Sequence, residues 1–527
     1  MENTLTARNK IVKICSYIAI CLIAVLFAIL SVVSILQTCR IDQANPYSEI
    51  VNYDNDLVLT NLALIGLTIL GALFFIRKNI SISKVNTTFI VLVMLLVTTI
   101  VSLAWINLVQ SIASGDAMIL LNTARDAAKN EFRSFHSSYD YYGNFSYYLY
   151  YPFQLGYVFF AEILFRIFGT NSSDVLFQIP NVIALDFAYV GMVMIAKRLF
   201  DRKSVTNLTA ITLTVCFQPM FMTTFTYGLI LGITFSIWSV YHIIRYMQEN
   251  KLKNAGFATL LMAISVLFKY NNMILLAAVC IALVLHAIDK KKLLALAVVV
   301  VMVLCSVGLQ KAVIASYSAR SGAELKTQVS QTLYAYLGIS DSGMAPGWYN
   351  GKAMETLRDN KMDVDKANKV ASDGIKQRLT ELTATGKLGD FVWKKYISQF
   401  NEPSYESIWI SQVRKHHYPE GEKLPALVES VYSGGLQKIL DNWFNYTVMM
   451  IYIFFTAGMV WLIFRKKLTP ESLILPVAIL GAILYHMLFE AKSQYILPYF
   501  ILMIPFAVYG FVESMRTLSQ KTEVLFK

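Results

Sequence analysis

Apolar runs punctuate this sequence from end to end: 11–36, 57–76, 87–109, 177–196, 205–222, 228–246, 255–268, 271–288, 293–314, 445–464, 472–489 and 495–513. A bilayer's hydrocarbon core is about 30 Å thick, so a helix needs about 20 apolar residues to cross it. Each crossing segment must satisfy its own backbone hydrogen bonds, which leaves helices for runs of this length. The runs therefore predict an all-α polytopic membrane protein with about twelve transmembrane helices. Composition agrees: 56% of the 527 residues are hydrophobic and only 15% are charged, against about 25% charged in soluble domains. The net charge of +12 is not that of a nucleic-acid binder, because Lys and Arg fall in short clusters between the apolar runs, as they do in cytoplasmic loops.

Those clusters set the expected orientation. Arg8-Lys10-Lys13, Arg77-Lys78, Lys197-Arg198 with Arg202-Lys203, Lys251-Lys253, Lys290 to Lys292, Arg465 to Lys467 and Arg516-Lys521 all belong inside. The run from Ile11 exceeds a signal peptide's apolar core of about 7–15 residues, so it is read as a retained first span. The alternation works only if the apolar stretch 152–168 does not cross; it is expected to lie in the interface or to re-enter. Both termini then fall inside. The chain divides into an N-terminal helical hairpin (1–86), a transmembrane core (87–314) with a long outer loop (110–170), a small, mainly helical extracytoplasmic domain (315–443), and C-terminal transmembrane helices (444–527). Within the outer domain, 363–385 reads as a helix and GMAPGWYNG, 343–351, as turns. Trp348, Trp393, Trp409 and Trp443 suit the headgroup layer. The six cysteines form no CxxC pair and read as small buried hydrophobes. There is no internal repeat.

Polar residues on the outer side carry the candidate chemistry. Asp116 sits where the apolar run 87–109 gives way to the loop. A carboxylate at the lip of a span is partly withdrawn from water, which favours its acting as a base; a helix-end acid with no role is the plainer alternative. Asp126, Glu131 and Asp140 alternate with Arg125, Lys129 and Arg133 and read as a solvated helix face. The tyrosines at 139, 141, 142, 147, 148, 150 and 151 suit an aromatic belt, or the lining of a sugar or lipid groove. Lys269, in SVLFKYNN, is an isolated outer cation between two spans, and a phosphate is its natural partner; a snorkelling lysine is the alternative. In the last outer turn, FEAKSQYILPYF, Glu490 and Lys492 either pair with each other or hold a phosphate and orient a sugar, beside Gln494 and Tyr495. Adjacent His416 and His417 lack the spacing of a helical metal pair.

No Walker A loop, GxGxxG, HExxH or GxSxG occurs, and no cytoplasmic segment is long enough for a nucleotide-binding domain. A donor that arrives through the membrane remains. With the pieces in this order, the chain resembles the GT-C superfamily of polytopic glycosyltransferases, which includes protein O-mannosyltransferases and the lipid A aminoarabinose transferase. The carrying residues are Asp116, then YYPFQLGYVFFAEILFRIFG, then the span ending in a basic Leu-Phe segment, then SVLFKYNN in place of the family's "LTK" turn, and FEAKSQYILPYF in place of its "EARSRYLLP" turn. The resemblance spans roughly 95–515. It departs from the pattern in two extra leading spans, in Gln494 where the family has Arg, and in lacking a recognisable second acid, which leaves a divalent cation open and assigns no metal ligand.

The resemblance implies an inverting glycosyltransferase that moves a sugar from a polyprenyl-phosphate donor to an extracytoplasmic acceptor: a cell-wall polymer, a glycolipid or a protein. Asp116 would be the catalytic base. Lys269 and Lys492 would bind the donor phosphate, and Tyr151, Gln154, Glu490 and Tyr495 the substrates. Membrane lipids are further expected partners, and nucleic acid is not. The alternatives are a transporter or flippase of a lipid-linked or polar solute, and a non-catalytic scaffold of envelope synthesis. Transporters tend to carry repeated halves and midplane ionisable residues; here only Asp186 fits that description. Lys- and Asn-rich soluble segments suggest a bacterium.

Overall fold

The computed structural model describes the whole chain except residues 1, 44, 46, 47, 79, 139–144, 327, 412–424, 526 and 527, together with the side chains of 2–9 and 521–525. Among the described residues, ten helices are long and apolar enough to cross a membrane. They are Lys10–Leu36, Val58–Arg77, Thr87–Val109, Val175–Phe200, Leu229–Glu249, Tyr270–Lys290, Leu294–Ser321, Gly435–Phe464, Pro470–Leu488 and Leu497–Gln520. Lys203–Val215 and Gln218–Thr224 make an eleventh if the 50° bend between them is counted within one span. This is a polytopic membrane protein. The expected count of about twelve is reached with Leu252–Phe268, a shorter apolar helix of 17 residues that leads to Lys269, and with the run 205–222, bent where Cys216 turns to an extended backbone ahead of Pro219.

Polar side chains at the ends and middles of helices tie the bundle together. Thr99 Oγ1 donates to Asp186 Oδ2 at 2.6 Å, joining Thr87–Val109 to Val175–Phe200, so the one candidate midplane charge is engaged between helices. Buried Glu513 receives Arg465 at 2.8 Å and also pairs with Arg202. The first helix packs chiefly against Gly435–Phe464, with the Phe27 ring 4.7 Å from that of Phe455 and 5.3 Å from that of Tyr452.

Two glycines let Gly435–Phe464 cross the last helix at backbone contact. A Cβ on Gly510 would overlap the Phe454 carbonyl oxygen, and one on Gly458 would overlap that of Phe506. Small residues at such crossings let helices in lipid pack closely. Gly510→Ala should therefore cost about 1–3 kcal/mol through overpacking. A thermal melt of the detergent-solubilised protein measures it, and an unchanged melting temperature would mean the helices spread freely.

Residues 110–174 leave and return at one end of the bundle. Gln178 Nε2 donates to the Ser111 carbonyl at 3.0 Å, and Asp174 Oδ2 accepts from Ala113 N at 2.6 Å, so the start of Val175–Phe200 lies beside the end of Thr87–Val109. In between, Gly115–Ala128 and the apolar helix Leu155–Phe168 pack side by side, clamped where Arg166 reaches the Ala127 carbonyl at 2.8 Å. Leu155–Phe168 thus does not cross, as the charge pattern requires.

The same end carries the 322–434 segment and the stretch between the first two spans. That stretch holds the chain's one described sheet: Gln37–Ile41 pairs antiparallel with Val51–Asn55, in register Cys39 to Tyr53. The expected helix near 363–385 is Val364–Ala384, and 343–351 is indeed turns. Trp348 is fully buried and donates to Ser398 Oγ at 3.0 Å; a ring with no exposed surface is core, not a headgroup anchor. His416 and His417, with Arg414 and Lys415, lie outside the described residues, as do Asp140, Tyr139, Tyr141 and Tyr142. All six cysteines are free.

Candidate active site

At that end, a cleft of ≈ 130 Å³ opens between five stretches of chain. Asp116, Tyr147, Tyr151 and Gln154 line it from the 110–170 loop, Tyr227 from the link before Leu229–Glu249, and Lys269 to Asn271 from the end of Leu252–Phe268. Tyr334 and Tyr349 come from the 322–434 segment, and Glu490 and Tyr495 from the last turn.

Each wall has a local reason. Asp116 is in the first turn of Gly115–Ala128, where the helix's free N–H groups favour a negative charge. Gly115 begins that helix at φ +53°, a left-handed backbone that suits glycine. Gly228, at φ +80°, has the Phe268 carbonyl oxygen 2.5 Å from where a Cβ would stand. Only glycine lets the Tyr227 link come that close to Lys269. The Lys269 backbone is extended (φ −147°) and caps its helix through an N–H bond to the Ser265 carbonyl at 3.0 Å.

Tyr227 is the centre of the cleft. Its hydroxyl donates to Asp116 Oδ2 at 3.0 Å and accepts from Gln154 Nε2. Burial first, and then the Asp116 carboxylate, hold its phenol proton on. The Lys269 ammonium stands over the Tyr227 ring, 3.9 Å from its centroid, and 5.8 Å from that of Tyr495. Lys269 is only 8% exposed, and burial pulls its amine down to about 7, with Asp116 and Glu490 opposing the shift. Tyr495 donates to Glu490 Oε1 at 3.2 Å; burial raises the Glu490 carboxyl, with Lys492 acting against that.

Six of the seven site residues expected from the sequence (Asp116, Lys269, Tyr151, Gln154, Glu490 and Tyr495) thus meet in one cleft. Lys492 does not line it. Its ammonium is 2.5 Å from Glu49 Oε1, an ion pair with the stretch between the first two spans rather than with Glu490. Tyr227, Tyr334 and Tyr349 line the cleft and were not anticipated; the signal available was an aromatic next to a glycine, TYG, at an outer turn. Among the described residues no three His, Cys, Asp or Glu side chains converge as a metal-binding group, and the cleft's two carboxylates, Asp116 and Glu490, come from the 110–170 loop and the last turn.

Residues 154–309 match the dolichyl-phosphate-mannose-protein mannosyltransferase family. That is a GT-C mannosyltransferase family, so the resemblance drawn from the sequence holds over a stretch that includes Gln154, Tyr227 and Lys269. No curated protein matches. Two solved structures are similar. One is the Archaeoglobus fulgidus oligosaccharyltransferase tethered to an acceptor peptide, at 12% identity and a TM-score of 0.40, covering 81% of this chain and 50% of that one. The other is ArnT from Cupriavidus metallidurans bound to undecaprenyl phosphate, at 12% identity and a TM-score of 0.32, covering 81% and 78%. This chain spans half the length of the oligosaccharyltransferase.

Proposed function

We propose that this chain is an inverting glycosyltransferase of the cell membrane, taking its sugar from a polyprenyl-phosphate donor in a cleft on the extracytoplasmic face. The observation that carries the reading is Tyr227: a carboxylate and an ammonium drawn from distant stretches meet on one phenol. The family match over 154–309, to proteins described as using dolichyl-phosphate-mannose, supports the donor class.

In this mechanism Asp116 takes the proton of an acceptor hydroxyl as its oxygen attacks the anomeric carbon. The new bond forms on the face opposite the leaving group, so the configuration inverts. The bond between the anomeric carbon and the phosphate oxygen breaks, and both its electrons leave with the polyprenyl phosphate. Lys269 faces the charge that develops there, inside a site where burial strengthens the attraction. Tyr227 keeps Asp116 aligned and carries the cation on its ring. Glu490 and Tyr495 close the cleft from the last turn, while Tyr151 and Gln154 face the sugar from the loop that carries Asp116. The donor's polyprenyl chain, being apolar, belongs in the bilayer beside the cleft rather than among its polar walls.

The test is transfer in proteoliposomes given radiolabelled polyprenyl-phosphate hexoses, with envelope extract as acceptor. Label moving to the extract, with the anomeric configuration inverted, is the expected result. Label or solute crossing the bilayer with no transfer from any donor would replace this reading with a transporter. Neither transfer nor transport would leave the scaffold.

A further inference from the structure

The turn between the last two spans, 489–496, contributes Glu490 and Tyr495 to the cleft. Its own backbone bonds are few: Tyr495 N to Lys492 O at 3.3 Å and Ile496 N to Ser493 O at 2.9 Å. Distant stretches hold the rest. Lys395 Nζ donates to the Phe489 carbonyl at 2.7 Å and the Gly338 carbonyl at 2.6 Å. Ala491 N donates to the Gly347 carbonyl at 2.9 Å. Ser493 Oγ donates to Glu402 Oε2 at 2.8 Å, and Gln494 N to Glu406 Oε1 at 3.1 Å. Lys492 is held by Glu49. Lys395, Glu402 and Glu406 do not line the cleft, and the reaction proposed above does not use them.

These three side chains are almost completely buried, at 1%, 2% and 0% exposure. Buried charges are costly unless they are partnered, so each needs a reason to be there. Glu402 accepts four bonds: from Ser404 N at 2.9 Å, Ser404 Oγ at 2.5 Å, Glu406 N at 2.9 Å and Ser493 Oγ. Burial raises the Glu402 carboxyl and these four donors oppose that shift; an acceptor filled to that degree is best served by an ionised carboxylate. Tyr405 and Glu406 adopt left-handed backbones, φ 50° and 63°, to wrap around it. Such strain persists only where the surroundings impose it.

Glu406 is different. Its Oε1 lies 3.2 Å from Ser493 Oγ, whose single proton goes to the nearer Glu402, and its Oε2 has no hydrogen-bond partner among the described residues. The contact with Ser493 is a hydrogen bond only if Glu406 supplies the proton. Lys492, Glu49 and Glu402 are the charged groups that face it, and burial raises its carboxyl to about 8. Glycine completes the lock: a Cβ at Gly347 would meet Lys395 Cε at 2.6 Å, and one at Gly338 the Phe489 carbonyl oxygen at 2.5 Å.

We propose that Lys395, ionised Glu402 and protonated Glu406 are positioning residues, which fasten the 489–494 turn to the 322–434 segment and so set Glu490 and Tyr495 in the cleft. Their effect on catalysis rests on the glycosyltransferase reading; the fastening does not. The test is amide hydrogen exchange on the full chain in nanodiscs, for wild type, Glu406→Gln, Glu406→Ala, Glu402→Gln and Lys395→Met, with transfer kinetics in parallel. Glutamine reproduces a protonated glutamate, so Glu406→Gln should keep the amides of 491–494 within about twofold of wild type. The other three should exchange there at least about tenfold faster, with helix 435–464 unchanged, and lose kcat with little change in KM.

Exchange at 491–494 that stays as in wild type for the other three variants would overturn the proposal, as would faster exchange with kcat intact. Glu406→Gln behaving like Glu406→Ala would overturn the protonated assignment. If wild type itself transfers nothing, yet exchange separates the variants as stated, the fastening stands and the glycosyltransferase reading falls.

Discussion

Asp116→Asn is expected to lower kcat for sugar transfer by about 10²–10⁴-fold, the usual worth of a general base, with KM little changed. Asparagine still offers Tyr227 an oxygen to donate to, so the chain of hydrogen bonds that runs from Gln154 through Tyr227 survives. What disappears is the capacity to take a proton. Asp126→Asn is the matched control, since Asp126 accepts from Ser134 Oγ at 3.2 Å and does not line the cleft. Initial rates in proteoliposomes decide the matter: an Asp116→Asn enzyme within about threefold of wild type would remove Asp116 from the chemistry.

Lys269 gives the second large effect. Its amine titrates at about 7, where burial outweighs Asp116 and Glu490. A phosphate needs the ammonium, so donor binding above that pH requires proton uptake. Affinity for polyprenyl phosphate should then fall as pH rises through 7, by up to about tenfold per unit. Lys269→Gln should bind about 10- to 100-fold more weakly at pH 6, the value of a charge-assisted hydrogen bond, and should lose the pH slope. A dissociation constant flat from pH 6 to 9 would sink the assignment. The sign for folding is opposite to that of a salt-bridged lysine. The unfolded chain holds this proton up to lysine's ordinary 10.5, so the site detracts from stability below about 7 and stability rises with pH above it.

Much of this was legible beforehand, for identifiable reasons. Spans write themselves into sequence as apolar runs because the bilayer imposes length and composition together. The positive clusters fixed which runs cross, and so kept Leu155–Phe168 out of the count. Asp116, Lys269 and Glu490 stood out because a charge beside a span has few innocent explanations. The fate of Lys492 was not legible, because Glu49 lies 443 residues away in sequence and no local pattern announces the pair. The same holds for Glu402 and Glu406, polar residues in a segment whose composition looks soluble. Gln37–Ile41 and Val51–Asn55 escaped notice because the strands are short and mixed in polarity, with no clean alternation.

The order in which the cleft's walls occur along the chain has a consequence for synthesis. Asp116 emerges early, but Glu490 and Tyr495 follow the penultimate helix, Pro470–Leu488, and no earlier stretch can stand in for them. A nascent chain could have most of its helices in the bilayer and Lys269 beside Tyr227 while the cleft still lacked a wall. On the proposed mechanism the cleft is therefore incomplete until the 489–496 turn has been made, and a product cut short before that turn would insert yet lack the wall that Glu490 and Tyr495 supply.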